Sequence, residues 1–253
     1  MDAPCCVGVV RDSSSLVGKD ITVGKDLPAY YSAPKLKSGK RMGIVVVHDI
    51  FGTAIPNCKY IVDHFASKGF DAVMPDFYTG KEGVDPAAWP ADKPMAGEDF
   101  GKWFGSISSE SYWEKFKADV EDTTAFLRRK GCIRFAIIGF CWGGIGAEIA
   151  AKTGRFAAAV SAHGCMHTAA TYKEVKGNIL YITVPDDPFF GKASQDEIIA
   201  AGGKVKVFEG MTHGFTVRGD YADAKVKAAA DEAFAMAEAT FSQACLRKPR
   251  FSK

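Results

Sequence analysis

This 253-residue chain lacks a strong charge of either sign, a long apolar run and a regular cysteine framework. Lysine and arginine number 32 against 30 acids, a formal net charge of +2, so no field for binding polyanions is expected. Basic residues are interleaved with acids except in the tail Arg247-Lys248-Pro249-Arg250-Phe251-Ser252-Lys253, which reads as a solvated end rather than a nucleic-acid contact. No stretch approaches the ~18 apolar residues needed to span a bilayer. Residues Met1 to Cys6 lack the basic-then-apolar order of a secretory signal. Neither a nucleic acid nor a membrane is therefore expected as a partner. The seven cysteines, at 5, 6, 58, 132, 141, 165 and 245, are odd in number and irregularly spaced. That argues against a disulfide scaffold and for a reducing, cytoplasmic setting, with Cys5-Cys6 read as two reduced thiols. Repeats, low-complexity segments and Pro/Gly/Ser-rich linkers are also absent, so one domain over residues 1–253 is expected.

What is present is an alternation of strands and helices, with a 47% hydrophobic fraction that supports a large core. Ile44-Val45-Val46-Val47 is a continuous apolar run of the kind a parallel strand buried on both faces requires. Further strands are expected at 70–75, 135–138, 156–162, 179–184 and 205–208, with helices over 57–68, 112–130 and 220–244. The first forty residues suggest an antiparallel edge hairpin, and 80–112 reads as an irregular excursion. The pattern implies an α/β fold with a mostly parallel central sheet and helices on both faces. Functional loops then gather at the carboxyl ends of the strands.

One such end carries Ile137-Ile138-Gly139-Phe140-Cys141-Trp142-Gly143-Gly144, an apolar strand entering a G-x-C-x-G turn and then a helix-compatible stretch. Strand, glycine turn and helix in that order form the nucleophile elbow of the α/β-hydrolase fold, with cysteine in the serine position. The helix N-terminus behind Cys141 offers N–H groups and positive potential, which favour a thiolate and a developing oxyanion. A cysteine nucleophile needs a base, and the base an orienting acid, in the chain order nucleophile, acid, histidine. After Cys141, a strand ends in Pro185-Asp186-Asp187-Pro188, and the next ends near His213-Gly214-Phe215. Asp186 and Asp187 compete for the acid role, since one could simply cap the turn that follows. Sharing the thiol proton with an imidazole is expected to bring ionisation below the ordinary cysteine value of ~8.5. Oxyanion donors in this fold are the N–H after the nucleophile, here Trp142, and one from the loop after an early central strand, here His48 to Gly52.

The combination of H-D-I-F-G at 48–52, M-P-D-F-Y at 74–78, G-F-C-W-G-G at 139–144, D-D-P at 186–188 and H-G-F at 213–215 resembles the dienelactone hydrolase family, over roughly residues 25 to 243. The resemblance implies Cys141 as nucleophile, His213 as base and Asp187 as its partner, with the backbones of Ile50 and Trp142 as oxyanion hole. It also implies that Asp49 contacts and helps activate the resting thiol. The best-known members carry Glu there, one methylene longer. Bacterial members hold a substrate carboxylate with two arginines. Arg218 is the counterpart of one. For the second, 80–112 offers only Lys81, Lys93 and Lys102, and lysine does not reproduce a bidentate clamp.

Other features carry weaker readings. His163-Gly164-Cys165-Met166-His167 follows the strand after the elbow. Its spacing is uncommon for zinc and lacks a fourth ligand, so His163 is expected to line the substrate pocket rather than bind metal. Trp103, Phe104 and Trp113 suit either a pocket wall or ordinary packing. The expected function is a hydrolase of carboxylic esters or lactones, with a small-molecule substrate, no metal or organic cofactor, and a monomeric or small homo-oligomeric state. Two rival classes are a non-catalytic small-molecule binder on the same fold, disfavoured by an intact Cys–Asp–His order, and a redox-sensing thiol protein. The latter needs a resolving cysteine, for which Cys165 is the candidate if it folds nearby.

Overall fold

The computed structural model describes residues 8–35, 42–79 and 97–246. Eight strands, β1 (Lys19–Val23), β2 (Leu27–Ser32), β3 (Met42–Val47), β4 (Asp71–Pro75), β5 (Arg134–Phe140), β6 (Ala158–Ala162), β7 (Ile179–Thr183) and β8 (Lys204–Val207), form one sheet. Their order is β1-β2-β4-β3-β5-β6-β7-β8, parallel from β4 to β8, with β1 and β2 antiparallel at one edge. The early residues thus supply the expected edge hairpin. Its turn includes Gly24 at positive φ, where a side chain is disfavoured.

The helices are α1 (Asn57–Ser67), α2 (Gly97–Ser106), α3 (Glu110–Arg129), α4 (Trp142–Lys152), α5 (Ala169–Lys173), α6 (Lys192–Ala200), α7 (Phe215–Arg218) and α8 (Ala224–Leu246). All six residues of β3 are buried, and the two-residue period of a strand divides them between two cores. Val45 and Val47 join Phe116, Leu127 and Ala147 of α3 and α4 on one face. Met42, Ile44 and Val46 join Ile61, Phe65, Phe234 and Phe241 of α1 and α8 on the other. Both faces are therefore covered, which is why the run had to be apolar throughout. Among the described residues no helix is long and apolar enough to cross a membrane.

The structure departs from the sequence reading in the excursion. Residues 97–106 form helix α2, anchored by buried Trp103. Gly101 and Gly105 lower its helix propensity and hide it from a pattern reading. Lys81, Lys93, Cys5, Cys6 and the basic tail lie outside the described residues.

Candidate active site

Residues His48–Gly52, Cys141, His163–His167, Asp187 and His213 all follow the carboxyl ends of parallel strands, namely β3, β5, β6, β7 and β8. Cys141 stands between β5 and α4 at φ 53°, ψ −120°, a strained conformation for a residue with a Cβ. The turn closes only because its neighbours are glycine. A Cβ on Gly139 would strike the Gly143 carbonyl, and one on Gly143 would meet the carbonyls of Val47 and His48. Trp142 opens α4, so its N–H is one of the helix's first, which have no partner within the helix. Its indole is fully buried, donates from Nε1 to the Ile107 carbonyl at 3.0 Å, and lies stacked between His48 and Trp113. Trp113 and Trp103 therefore serve packing behind the elbow, and Phe104 packs on Phe100.

His213 presents Nδ1 to both oxygens of Asp187, at 3.1 and 2.9 Å, with both side chains buried. Asp187 is fixed by the Phe189 N–H at 2.9 Å, whereas Asp186 is exposed. Of the two aspartates only Asp187 meets the imidazole. His213 Nε2 is buried without a hydrogen-bond partner. The sulfurs of Cys141 and Cys165 and an imidazole nitrogen of His213 all lie within 4.8 Å of one another.

Electrostatically, the pair competes for one proton. The Cys141 thiol is pushed well up, first by the Cys165 sulfur beside it and then by burial, while His213 pulls it down. Burial opposes a charged imidazole, but a Cys141 thiolate, once formed, and Asp187 outweigh it and push His213 up to about 10. We take the resting sulfur as protonated, because a thiolate in apolar surroundings is costly. Easy ionisation of the thiol, expected from the sequence, is thus not what the site provides at rest. The cause is Cys165, whose Sγ stands 3.9 Å from that of Cys141.

Asp49 lies in the loop after β3, its Oδ1 accepting the Phe51 N–H at 3.0 Å. Among the described residues no hydrogen bond joins it to Cys141. Burial pushes its carboxyl up to about 6, against the pull of the Phe51 N–H and of Arg218 and His213. Three donors converge on the Asp49 carbonyl: His48 Nδ1 at 2.8 Å, the Gly52 N–H at 3.0 Å and the Tyr78 hydroxyl at 3.4 Å. The Phe77 N–H donates to His48 Nε2 at 3.2 Å, which places the imidazole proton on Nδ1. Burial keeps this histidine neutral by lowering its pKa. The Asp49–Ile50 peptide, and hence the Ile50 N–H, is held in one orientation. His48 had no sequence signal beyond adjacency to this loop.

Arg218 is buried, with its guanidinium 4.3 Å from the Phe51 ring centre and Nη2 donating to the Gly8 carbonyl at 3.3 Å. It faces the Asp49 loop. His163 is fully buried at φ 38°; its Nε2 meets Thr216 Oγ1 at 2.7 Å and its ring packs 5.1 Å from that of His213. It backs His213 instead of lining open space. His167 turns elsewhere: Nε2 meets Ser161 Oγ at 2.7 Å, and Nδ1 meets Glu148 Oε2 at 2.8 Å. Tyr181 donates to that same oxygen at 2.7 Å. The three residues of His-x-Cys-x-His therefore diverge to separate partners. A cavity of about 390 Å³ is lined by His213 with Pro185, Pro188 and Met211, while Cys141 is not among its walls.

A mostly parallel eight-stranded sheet with a strained cysteine at a strand-to-helix turn defines an α/β-hydrolase. Comparison with known proteins agrees. The dienelactone hydrolase family model matches residues 27–245, and the chain belongs to that family of hydrolases. It is 27% identical over 225 residues to the human carboxymethylenebutenolidase homolog, covering 85% of each chain. It is 28% identical over 255 residues to hydrolase tropI of Talaromyces stipitatus, covering 94% of this chain and 95% of that one. In fold it is similar to the crystal structure of a putative dienelactone hydrolase from Klebsiella pneumoniae, with a TM-score of 0.72 at 20% identity, covering 90% of this chain and 98% of the other.

Proposed function

We propose that the protein hydrolyses carboxylic esters or lactones through Cys141, His213 and Asp187. The observation that carries this reading is the strained cysteine beside an imidazole whose Nδ1 is committed to a buried carboxylate and whose Nε2 has no protein partner. As a carbonyl approaches, the thiol proton passes to His213, and the sulfur adds to the carbonyl carbon. Asp187 keeps the imidazole in the required tautomer and stabilises its charged form. The N–H groups of Ile50 and Trp142 receive the oxyanion, each contributing about 3 kcal/mol to the transition state. Collapse expels the alkoxide, which takes the proton from His213 and leaves an acyl thioester. His213 then removes a proton from water, and hydroxide attack frees the acid and the thiol.

The named relatives include carboxymethylenebutenolidase homologs, which favours lactones within this class. Activated esters and enol lactones suit a thioester route better than simple alkyl esters. Arg218, seated against Phe51 and pulling on the Asp49 carboxyl, supports a role in setting the charge of the oxyanion loop. On that reading a substrate carboxylate is not required. The test is turnover of an activated aryl ester and of enol lactones with and without a carboxylate, with Cys141→Ala and His213→Ala as controls. The reading expects turnover of all three by the wild type and loss in both variants. It fails if the wild type turns over none, or if the Cys141 variant matches it.

A further inference from the structure

Cys165 has no part in the hydrolytic steps above, yet its sulfur lies against that of the nucleophile. The two Sγ atoms are 3.9 Å apart, both side chains are buried, and neither is tied up elsewhere in a disulfide. A disulfide needs S–S of about 2.05 Å, so closure asks for an approach of roughly 2 Å, within reach of side-chain rotation and a small loop shift. The loop that carries Cys165 is pinned on both sides. Before Cys165, the His163 N–H donates to the Ile182 carbonyl at 2.6 Å; after it, His167 is locked to Ser161 and Glu148, and the Met166 N–H donates to the Phe189 carbonyl at 2.9 Å. These ties keep the second sulfur facing the first instead of letting it swing to solvent.

We infer that Cys165 is a resolving thiol, which converts an oxidised Cys141 into a reversible Cys141–Cys165 disulfide and so protects the nucleophile from irreversible oxidation. The oxidant is a hydroperoxide. The Cys141 thiolate attacks one peroxide oxygen and the O–O bond breaks. Cys141 becomes a sulfenic acid, and the departing alkoxide or hydroxide takes the proton that Cys141 gave to His213. Cys165 sulfur then attacks Cys141 sulfur. The S–O bond breaks, and hydroxide leaves with the Cys165 proton as water. In sum, two thiols and one hydroperoxide give a disulfide, an alcohol or water, and a second water. A dithiol returns the two electrons and two protons. Without a resolving thiol, a sulfenic acid proceeds to the irreversible sulfinic state. The inference uses Cys141 as a reactive thiol but not the hydrolase reading itself, because the linkage is read by mass whether or not the protein turns anything over.

The test is peroxide treatment of the full-length reduced protein, followed by non-reducing peptide mapping and, separately, activity before and after dithiothreitol. The wild type should lose two hydrogens in mass, show a 141–165 linked peptide, and regain its activity fully with dithiothreitol. Cys165→Ser and Cys165→Ala, each compared with its own untreated sample, should form no such linkage and collect sulfinic acid at Cys141. Their loss should not be reversed. Cys58→Ser, which removes another buried thiol near the site, should still form the 141–165 linkage. Wild-type Cys141 found as sulfinic acid with Cys165 free, or linked instead to Cys58, would overturn the inference. If the linkage forms in a protein that hydrolyses nothing, the hydrolase reading fails while this one stands.

Discussion

Among the described residues, two arrays bring a side-chain S–H or O–H group to an imidazole and a carboxylate. One is Cys141, His213 and Asp187. The other is Ser161, His167 and Glu148, with Tyr181 as a fourth member. By residue type the two are equally suited to nucleophilic chemistry. The difference lies in what is left unsatisfied. Both nitrogens of His167 are bonded, Ser161 sits within regular strand β6, and a Cβ on Gly144 or Gly164 would collide with its hydroxyl. Burial pushes Glu148 up, but the His167 bond and charge outweigh it and hold the carboxylate below its ordinary range. That array is closed. In the first, Nε2 of His213 has no hydrogen-bond partner, and Cys141 stands on a strained turn at a helix N-terminus. A closed network holds structure, whereas an open one has a place for a reacting atom.

This contrast can be broken by mutation. Cys141→Ala or His213→Ala should lower kcat on an activated ester by on the order of 10⁴-fold or more, while Ser161→Ala keeps kcat within about tenfold of wild type. Asp187→Asn, which leaves the shape and spoils the tautomer, should fall by about 10³- to 10⁴-fold in the same assay. Stability should show the opposite ranking. His167→Ala takes the imidazole from buried Glu148 and leaves it the Tyr181 hydroxyl and Lys152, 4.0 Å away, at a cost of about 2 kcal/mol, so the thermal midpoint should fall by roughly 6 °C.

How much of this was readable in the sequence follows from the same contrast. The open array was legible because each member ends a strand in a fixed order, and because Gly139 and Gly143 mark a turn that tolerates no side chain. Period and run length likewise gave the central strands to within two residues or so at their ends. The closed array was not legible. Ser161, His167 and Glu148 come from a strand, a loop and a helix, and nothing in their spacing joins them. His167 instead suggested a metal motif with His163 and Cys165, whose partners turn out to lie on other elements. The 3.9 Å approach of Cys165 to Cys141 is a tertiary fact, and it reversed the expected ease of thiol ionisation. Helix α2 stayed hidden because three of its ten residues are glycine.

The smallest expected effect sharpens the comparison through pH. Asp49 has a carboxyl raised from 3.8 to about 6 in the folded state. The fold therefore binds this proton more tightly than the unfolded chain does, and stability from this group is lost as pH rises from about 4 through 6. Asp49→Asn retains an oxygen for the Phe51 N–H and removes the ionisation. Its thermal midpoint should exceed that of wild type by several degrees at pH 7.5 and converge with it at pH 4.

The central claim is that Cys141, in the open array, takes the acyl group. Mixing the protein with an activated aryl ester, quenching in acid within the first turnovers and mapping the adduct by peptide mass tests it directly. The account predicts an acyl thioester on Cys141, discharged by hydroxylamine, and none on Ser161. Turnover that proceeds with no adduct on Cys141, and survives Cys141→Ala, would contradict it.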